Sequence, residues 1–275
     1  MAWSSQSDVR GRKIELHGEE GFEGMRRAGT LAARTLDFIA PHVREGVSTL
    51  ELDSLCDQFM RDHDAVAATI GYKGYRHASC ISVNHVATHG IPAADKILKT
   101  GDILNIDVTP LLDGWHGDTS RMFTVGEASV RARRLIKATH EAMWNAISKV
   151  RPGATVGDLG HAMESAARAY GFKTVRSFCG HGVGRVFHAA PDVPFYGNPG
   201  EGVVLEPGMI FTIEPMVNAG RADVTVLPDG WTTVTRDRAP SAQFEHSMGV
   251  TEDGVEVFTL GSDAPSAGAP NTSRS

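Results

Sequence analysis

The amino-acid sequence predicts an α+β fold of two related halves, with helices over one face of a curved, mainly antiparallel sheet and carboxylates on the other face. Three observations predict it. Aligned against itself, the chain repeats at an offset of 107 residues: Gly46-Val-Ser-Thr-Leu-Glu-Leu52 matches Gly153-Ala-Thr-Val-Gly-Asp-Leu159, and 98–107 matches 205–214. Each repeat opens with apolar residues at helical spacing. The segments that follow alternate apolar and polar residues, as half-buried strands do.

Residues 1–12 are polar and aperiodic, and are expected to form a mobile tail. Helices are predicted from Met25 to Val43 and from Arg133 to Val150, ended by Glu45-Gly46 and Pro152-Gly153. Ser48 and Thr155 are N-cap candidates for a second helix in each half, with Glu51 and Asp158 three residues on, as in a capping box. These helices run to about Asp64 and to Tyr170-Gly171. Strands are predicted near 66–70, 80–84, 103–109, 118–125, 174–178, 209–217, 224–227, 232–235, 242–251 and 254–260. The Ser/Ala/Pro/Gly-rich end, 261–275, lacks apolar anchors and is expected to be disordered. One working domain, 13–260, remains.

With 41% apolar residues, a chain of 275 can bury a substantial core. The net charge of -6 carries no Lys/Arg run, which argues against nucleic-acid or membrane-surface partners. No stretch approaches the ~20 apolar residues of a membrane span. The opening MAWSSQSDVRGRK has no apolar signal core, so a cytoplasmic location is expected. Cys56, Cys80 and Cys179 show no CxxC or CxxH spacing, which excludes a zinc finger or a disulfide framework.

The chemistry begins in GDILNIDVTPLLDGWHGDTSRMF. Asp113-Gly114 signals a type I′ hairpin, and a two-residue loop there puts Thr109 opposite Asp118, with Asp107 diagonal on the same face. Such a pair repels itself unless a cation intervenes. His181 lies in Cys179-Gly-His-Gly-Val-Gly184, where flanking glycines are expected to allow close approach to whatever the imidazole holds. Glu214 ends Met209-Ile-Phe-Thr-Ile-Glu214 and is the repeat equivalent of Asp107; Glu245 lies in Ser241-Ala-Gln-Phe-Glu-His246. Four carboxylates and one imidazole are a ligand set for two divalent cations, since their charges balance.

These residues carry a family resemblance. Asn105-Ile-Asp-Val-Thr109, His116-Gly-Asp-Thr-Ser120, Gly180-His-Gly-Val-Gly184, Phe211-Thr-Ile-Glu-Pro-Met-Val-Asn218 and Ser241-Ala-Gln-Phe-Glu-His246 stand in the order found in bacterial type I methionine aminopeptidases, which the chain resembles from Lys13 to about Leu260. The resemblance implies the pita-bread fold and removal of initiator methionine from nascent proteins and peptides with a small second residue, by a hydroxide bridging two metals. It implies that Asp107 chelates one ion, His181 and Glu214 hold the other, and Asp118 and Glu245 bridge both. Fe(II), Mn(II), Co(II) and Zn(II) all suit the set.

Glu214 resembles the family's proton shuttle. His89 and His188 match histidines that contact the substrate, His89 positioning it and His188 stabilising the tetrahedral intermediate. Tyr72, Tyr75, Cys80, Phe187 and Trp231 match the methionine pocket, where aromatic walls and sulfur suit a thioether. Asn84, Val86 and Ser241 match a monovalent-cation site. A transient ribosome contact would accompany co-translational action. Thr88 and Thr69 depart from the family's usual residues and bear on pocket fine structure. Three other readings compete, and the first, a pita-bread binding module without turnover, would show lost ligands, whereas all five are present beside His89 and His188. His116-Gly-Asp118 fits the 2-His-1-carboxylate site of an iron oxygenase, but two helical hairpins argue against its usual jelly roll. An Xaa-Pro dipeptidase-type enzyme usually has a further N-terminal domain, which residues 1–24 cannot supply.

Overall fold

The computed structural model describes residues 2–262, and its helices keep the spacing found in the sequence. Helices α1 (Glu19–Ile39) and α2 (Thr49–Arg61) belong to the first half, α3 (Val130–Ile147) and α4 (Val156–Ala169) to the second. α2 and α4 begin 107 residues apart. Ser48 Oγ accepts from Glu51 N–H and Thr155 Oγ1 from Asp158 N–H, while each carboxylate accepts from the cap residue's own N–H at 2.8 Å. Both capping boxes close, so Asp serves here as well as Glu. The same two caps bridge to Ile97 and Val204, positions again related by the repeat.

α1 begins earlier than predicted, at Glu19. Glycines hide its periodicity, yet they are packing positions: a Cβ at Gly24 would lie 2.3 Å from Trp115 Nε1. The apolar stripes of the helices meet the sheets in two main cores. One holds Leu36, Leu52, Met60, Ile81, Leu104 and Ile106; the other holds Leu135, Leu159, Met163, Phe195, Phe211 and Met248. Each such side chain stabilises the fold by about 1.5–3 kcal/mol relative to exposure.

Every strand pairing is antiparallel among the described residues. Strand Ile103–Val108 lies between Ser79–Val83 and Thr119–Thr124. Asp113 (φ 52°) and Gly114 (φ 80°) make the expected two-residue turn, with Leu112 paired to Trp115 and Leu111 to His116. In the second half, Ile210–Ile213 lies between Cys179–Gly182 and His246–Val250.

Two predicted strands are broken where the acids sit. The stretch 209–217 divides into Ile210–Ile213 and Met216–Asn218, and 242–251 into Ser241–Gln243 and His246–Val250. Pro215 has no N–H for a ladder, and each downstream or upstream piece joins a different sheet. The sheet therefore bends at Glu214 and Glu245.

Residues 2–7, expected to be a mobile tail, instead form a strand, Ala2–Ser7, paired with Lys13–Leu16. Side-chain bonds rather than apolar alternation hold it: Ser4 Oγ donates to Glu206 Oε1 at 2.8 Å, and Gln6 Nε2 to Val204 O at 2.9 Å. From residue 263 on, the expected C-terminal tail lies outside the described residues. No helix among the described residues is long and apolar enough to cross a membrane.

Candidate metal centre

The predicted acids and the imidazole converge where the halves meet. Asp107 stands across from Cys80 on one side and Ser120 on the other. The hairpin register puts Thr109 opposite Asp118, as expected, and Thr109 Oγ1 donates to Asp118 Oδ1 at 2.8 Å. Glu245 comes from the second half, yet its backbone N–H donates to Ser120 O at 3.0 Å, and Thr119 Oγ1 donates to Glu245 O at 2.6 Å. Ser247 Oγ ties the same junction by donating to Asp118 O at 2.6 Å. The pairs Ile213–His246 and Met216–Gln243 share one register, so Glu214 and Glu245 between them stand opposite each other. Like charges so placed repel.

His181 is positioned through its backbone. A Cβ at Gly180 would lie 2.4 Å from Thr212 O, and one at Gly182 would lie 2.0 Å from Ala190 O. These glycines let the neighbouring strands press close to the strand that carries His181. Thr212 Oγ1 accepts from His181 N–H at 3.0 Å. The imidazole Nδ1 faces Gly182 O at 3.0 Å, and because a carbonyl only accepts, Nδ1 carries the proton. Nε2 therefore turns its lone pair toward Asp118 Oδ2 and Glu214 Oε1, each 3.5 Å away. Two ligands about 2.1 Å from one divalent ion stand roughly 3–3.5 Å apart, so these atoms are spaced as co-ligands.

Electrostatics agree. Burial, then the neighbouring Asp118, pushes the Asp107 carboxyl well up, and burial raises Asp118 to about 7 against the Thr109 hydrogen bond. Burial, then Asp118, also raises Glu214 and Glu245. Burial lowers His181 to about 4, so its imidazole is neutral, the form that binds a metal. The acids need a counter-charge to ionise together, and divalent cations supply it. Ligand atoms of Asp118, His181 and Glu245 lie within 4.8 Å of one another. Asp107 is half-buried beside this group.

A cavity of about 480 Å³ opens onto these side chains, and all twelve site residues predicted from the sequence line it. Tyr75 packs edge-on to Trp231 at 4.9 Å, and its hydroxyl donates to Ser79 O at 2.9 Å. Tyr72 lies 5.0 Å from Phe187 and stacks on His188 at 5.1 Å. The ring of His188 is 4.1 Å from that of His181, and burial, the largest cause, holds it neutral. His89, at φ 54°, sits between Phe178 and Trp231, and burial lowers it to about 4. His116, the residue an oxygenase would need, instead stacks on Phe187 and bonds Gly184 O at 2.7 Å.

Sequence reading missed Arg10, Arg12, Lys73 and Asp192, which also line the cavity. Only a carboxylate in the run Ala189–Pro194 signalled any of them, and its prolines hid a strand. Asn84 and Ser241 do meet: Ser241 N–H donates to Asn84 O at 2.8 Å.

The description "Metallopeptidase family M24" matches residues 23–252. A methionine aminopeptidase of Rickettsia prowazekii (strain Madrid E) is 53% identical over 249 residues, which cover 90% of this chain and 95% of the relative. One of Escherichia coli (strain K12) is 49% identical over 251 residues, 91% and 95% of the two chains. The crystal structure of the Rickettsia prowazekii methionine aminopeptidase superposes with a TM-score of 0.89 at 52% identity, covering 90% of this chain and all of that one. The fold shared with that structure is the pita-bread fold. With this match spanning both halves and every acid of the centre, the chain belongs to metallopeptidase family M24.

Proposed function

We propose that the protein is a methionyl aminopeptidase, a metal-dependent enzyme that removes N-terminal methionine from peptides and nascent proteins with a small second residue. The observation that carries the reading is the lone pair of His181 Nε2, 3.5 Å from carboxylate oxygens of Asp118 and Glu214, at the floor of an aromatic cavity. Asp107 would hold one ion, His181 and Glu214 the other, with Asp118 and Glu245 shared. Fe(II), Mn(II), Co(II) and Zn(II) suit the mixed oxygen and imidazole set. Bound divalent ions supply Lewis acidity to the scissile carbonyl and make a water acidic enough to attack it near neutral pH.

The chain's own groups do the rest. Glu214, raised by burial and by Asp118, takes a proton from water and delivers it to the leaving amine. His89 and His188, neutral in their surroundings, donate N–H to the substrate, the first orienting it and the second steadying charge that develops on the carbonyl oxygen. Tyr72, Tyr75, Cys80, Phe187 and Trp231 enclose the thioether. A bulky second residue would crowd the floor. A monovalent cation beside Asn84, Val86 and Ser241, a cytoplasmic location and a transient ribosome contact complete the reading.

The test is direct. Purified protein freed of metal and then given Fe(II), Mn(II), Co(II) or Zn(II) is expected to release methionine from Met-Ala-Ser and far more slowly from Met-Leu-Ser. Absence of metal-dependent release from Met-Ala-Ser overturns the proposal.

A further inference from the structure

We infer that Arg10, held at the cavity mouth by the N-terminal hairpin, is a specificity residue that favours acidic side chains downstream of the scissile bond; this rests on the aminopeptidase reading. The hairpin is docked, not loose. Its turn closes on Asp8, whose Oδ1 accepts from Arg10 N–H and Arg12 N–H at 2.9 Å each. The Arg12 guanidinium reaches both Asp8 and Asp192 at 2.6 Å, and those carboxylates are only 1% and 9% exposed. Arg12 is thereby fully engaged.

Arg10 is not. Its Nε binds Asp192 Oδ2 at 2.9 Å while its side chain stays 64% exposed. That single ion pair ties the side chain to the rim and leaves most of it exposed. Lys73, exposed and set on the face of Tyr72 at 5.2 Å, joins Arg10 in lining the same cavity. The acids at this rim lie beneath the cations, so an approaching peptide meets a guanidinium and an ammonium first. A guanidinium accepts a carboxylate through two parallel hydrogen bonds. The substrate class selected is a peptide with Asp or Glu beyond its second residue.

The experiment uses the full metal-loaded chain and amidated peptides Met-Ala-Xaa-Xaa, with Glu, Gln or Lys at Xaa. KM for the Glu peptide is expected to be about threefold to tenfold lower than for the Lys peptide, the range spanned by attractive and repulsive exposed pairs. Arg10→Gln brings that ratio below about twofold, Arg10→Lys keeps it, and Arg10→Glu inverts it. Lys73→Gln, on a separate loop, lowers the same ratio without touching the hairpin. Equal KM values in the wild type, or a ratio unmoved by Arg10→Gln, overturn the inference. Calorimetric affinities of the product peptides Ala-Xaa-Xaa carry the same ratio with no turnover. If no peptide releases methionine, the aminopeptidase reading fails while calorimetry still decides this one.

Discussion

Thr212 links His181 to Glu214: its Oγ1 accepts from the His181 backbone N–H at 3.0 Å and donates to Glu214 Oε1 at 2.8 Å. One hydroxyl thus sets the aim of two side chains that approach each other at 3.5 Å. Thr212→Val keeps the volume and removes the hydroxyl. Outer partners of metal ligands are typically worth 10–100-fold in affinity, and a loss of about that size is expected in a calorimetric metal titration. Unchanged affinity would show that Thr212 serves only the core.

Glu214→Gln keeps the shape of the side chain and removes its capacity to carry a proton. Methionine release is expected to fall by about 10²–10⁴-fold, the usual span for a positioned acid or base. His116→Ala is the contrasting substitution. His116 is spent on Gly184 O and the Phe187 ring, so only a modest weakening is expected, about tenfold at most by analogy with outer-partner effects. An enzyme that needed His116 and ignored Glu214 would have different chemistry altogether.

Much of this was legible because hairpin register is a local property. Asp113-Gly114 alone set Thr109 against Asp118, and the observed pairs Val108–Thr119 and Asp107–Ser120 continue that register. The capping boxes of α2 and α4 were equally local. What stayed hidden depends on distant partners. Nothing near Glu245 announces that its backbone pairs with Ser120, and nothing in 1–12 announces that Gln6 will meet Val204. Strands Cys179–Gly182 and Ala189–Pro194 escaped because glycine and proline are poor strand residues, tolerated here where backbones press together.

Asp8 gives the hairpin a defined acid sensitivity. Burial pushes its carboxyl up, but bonds from Arg12 and Arg10 outweigh this and hold it below its ordinary value. A carboxyl depressed on folding contributes stability above its unfolded pKa, near 4, and that contribution is lost as pH falls through the folded value. Protection factors of the amides in 2–16, corrected for the intrinsic pH dependence of exchange, are therefore expected to fall below about pH 4 while those of α3 and α4 hold. Asp8→Asn should show the same local opening at pH 7. Protection of 2–16 that is flat from pH 7 to pH 3 contradicts the assignment.

Strand spacing at His181 rests on a missing side chain. An alanine at Gly180 places its methyl 2.4 Å from Thr212 O and 3.1 Å from Thr212 Oγ1, so the strands must part. Overpacking of this kind costs about 1–3 kcal/mol, read as a lower Tm. Here it also displaces the hydroxyl that aims Glu214, so metal affinity should fall with stability. Gly153→Ala separates the two effects: Gly153 has φ +84° with open space around its Cβ position, and only backbone strain of about 1–2 kcal/mol is expected there. Gly153→Ala should lower Tm and bind metal normally, whereas Gly180→Ala should lose both. Normal metal affinity in Gly180→Ala would detach the ligand geometry from the spacing of these strands.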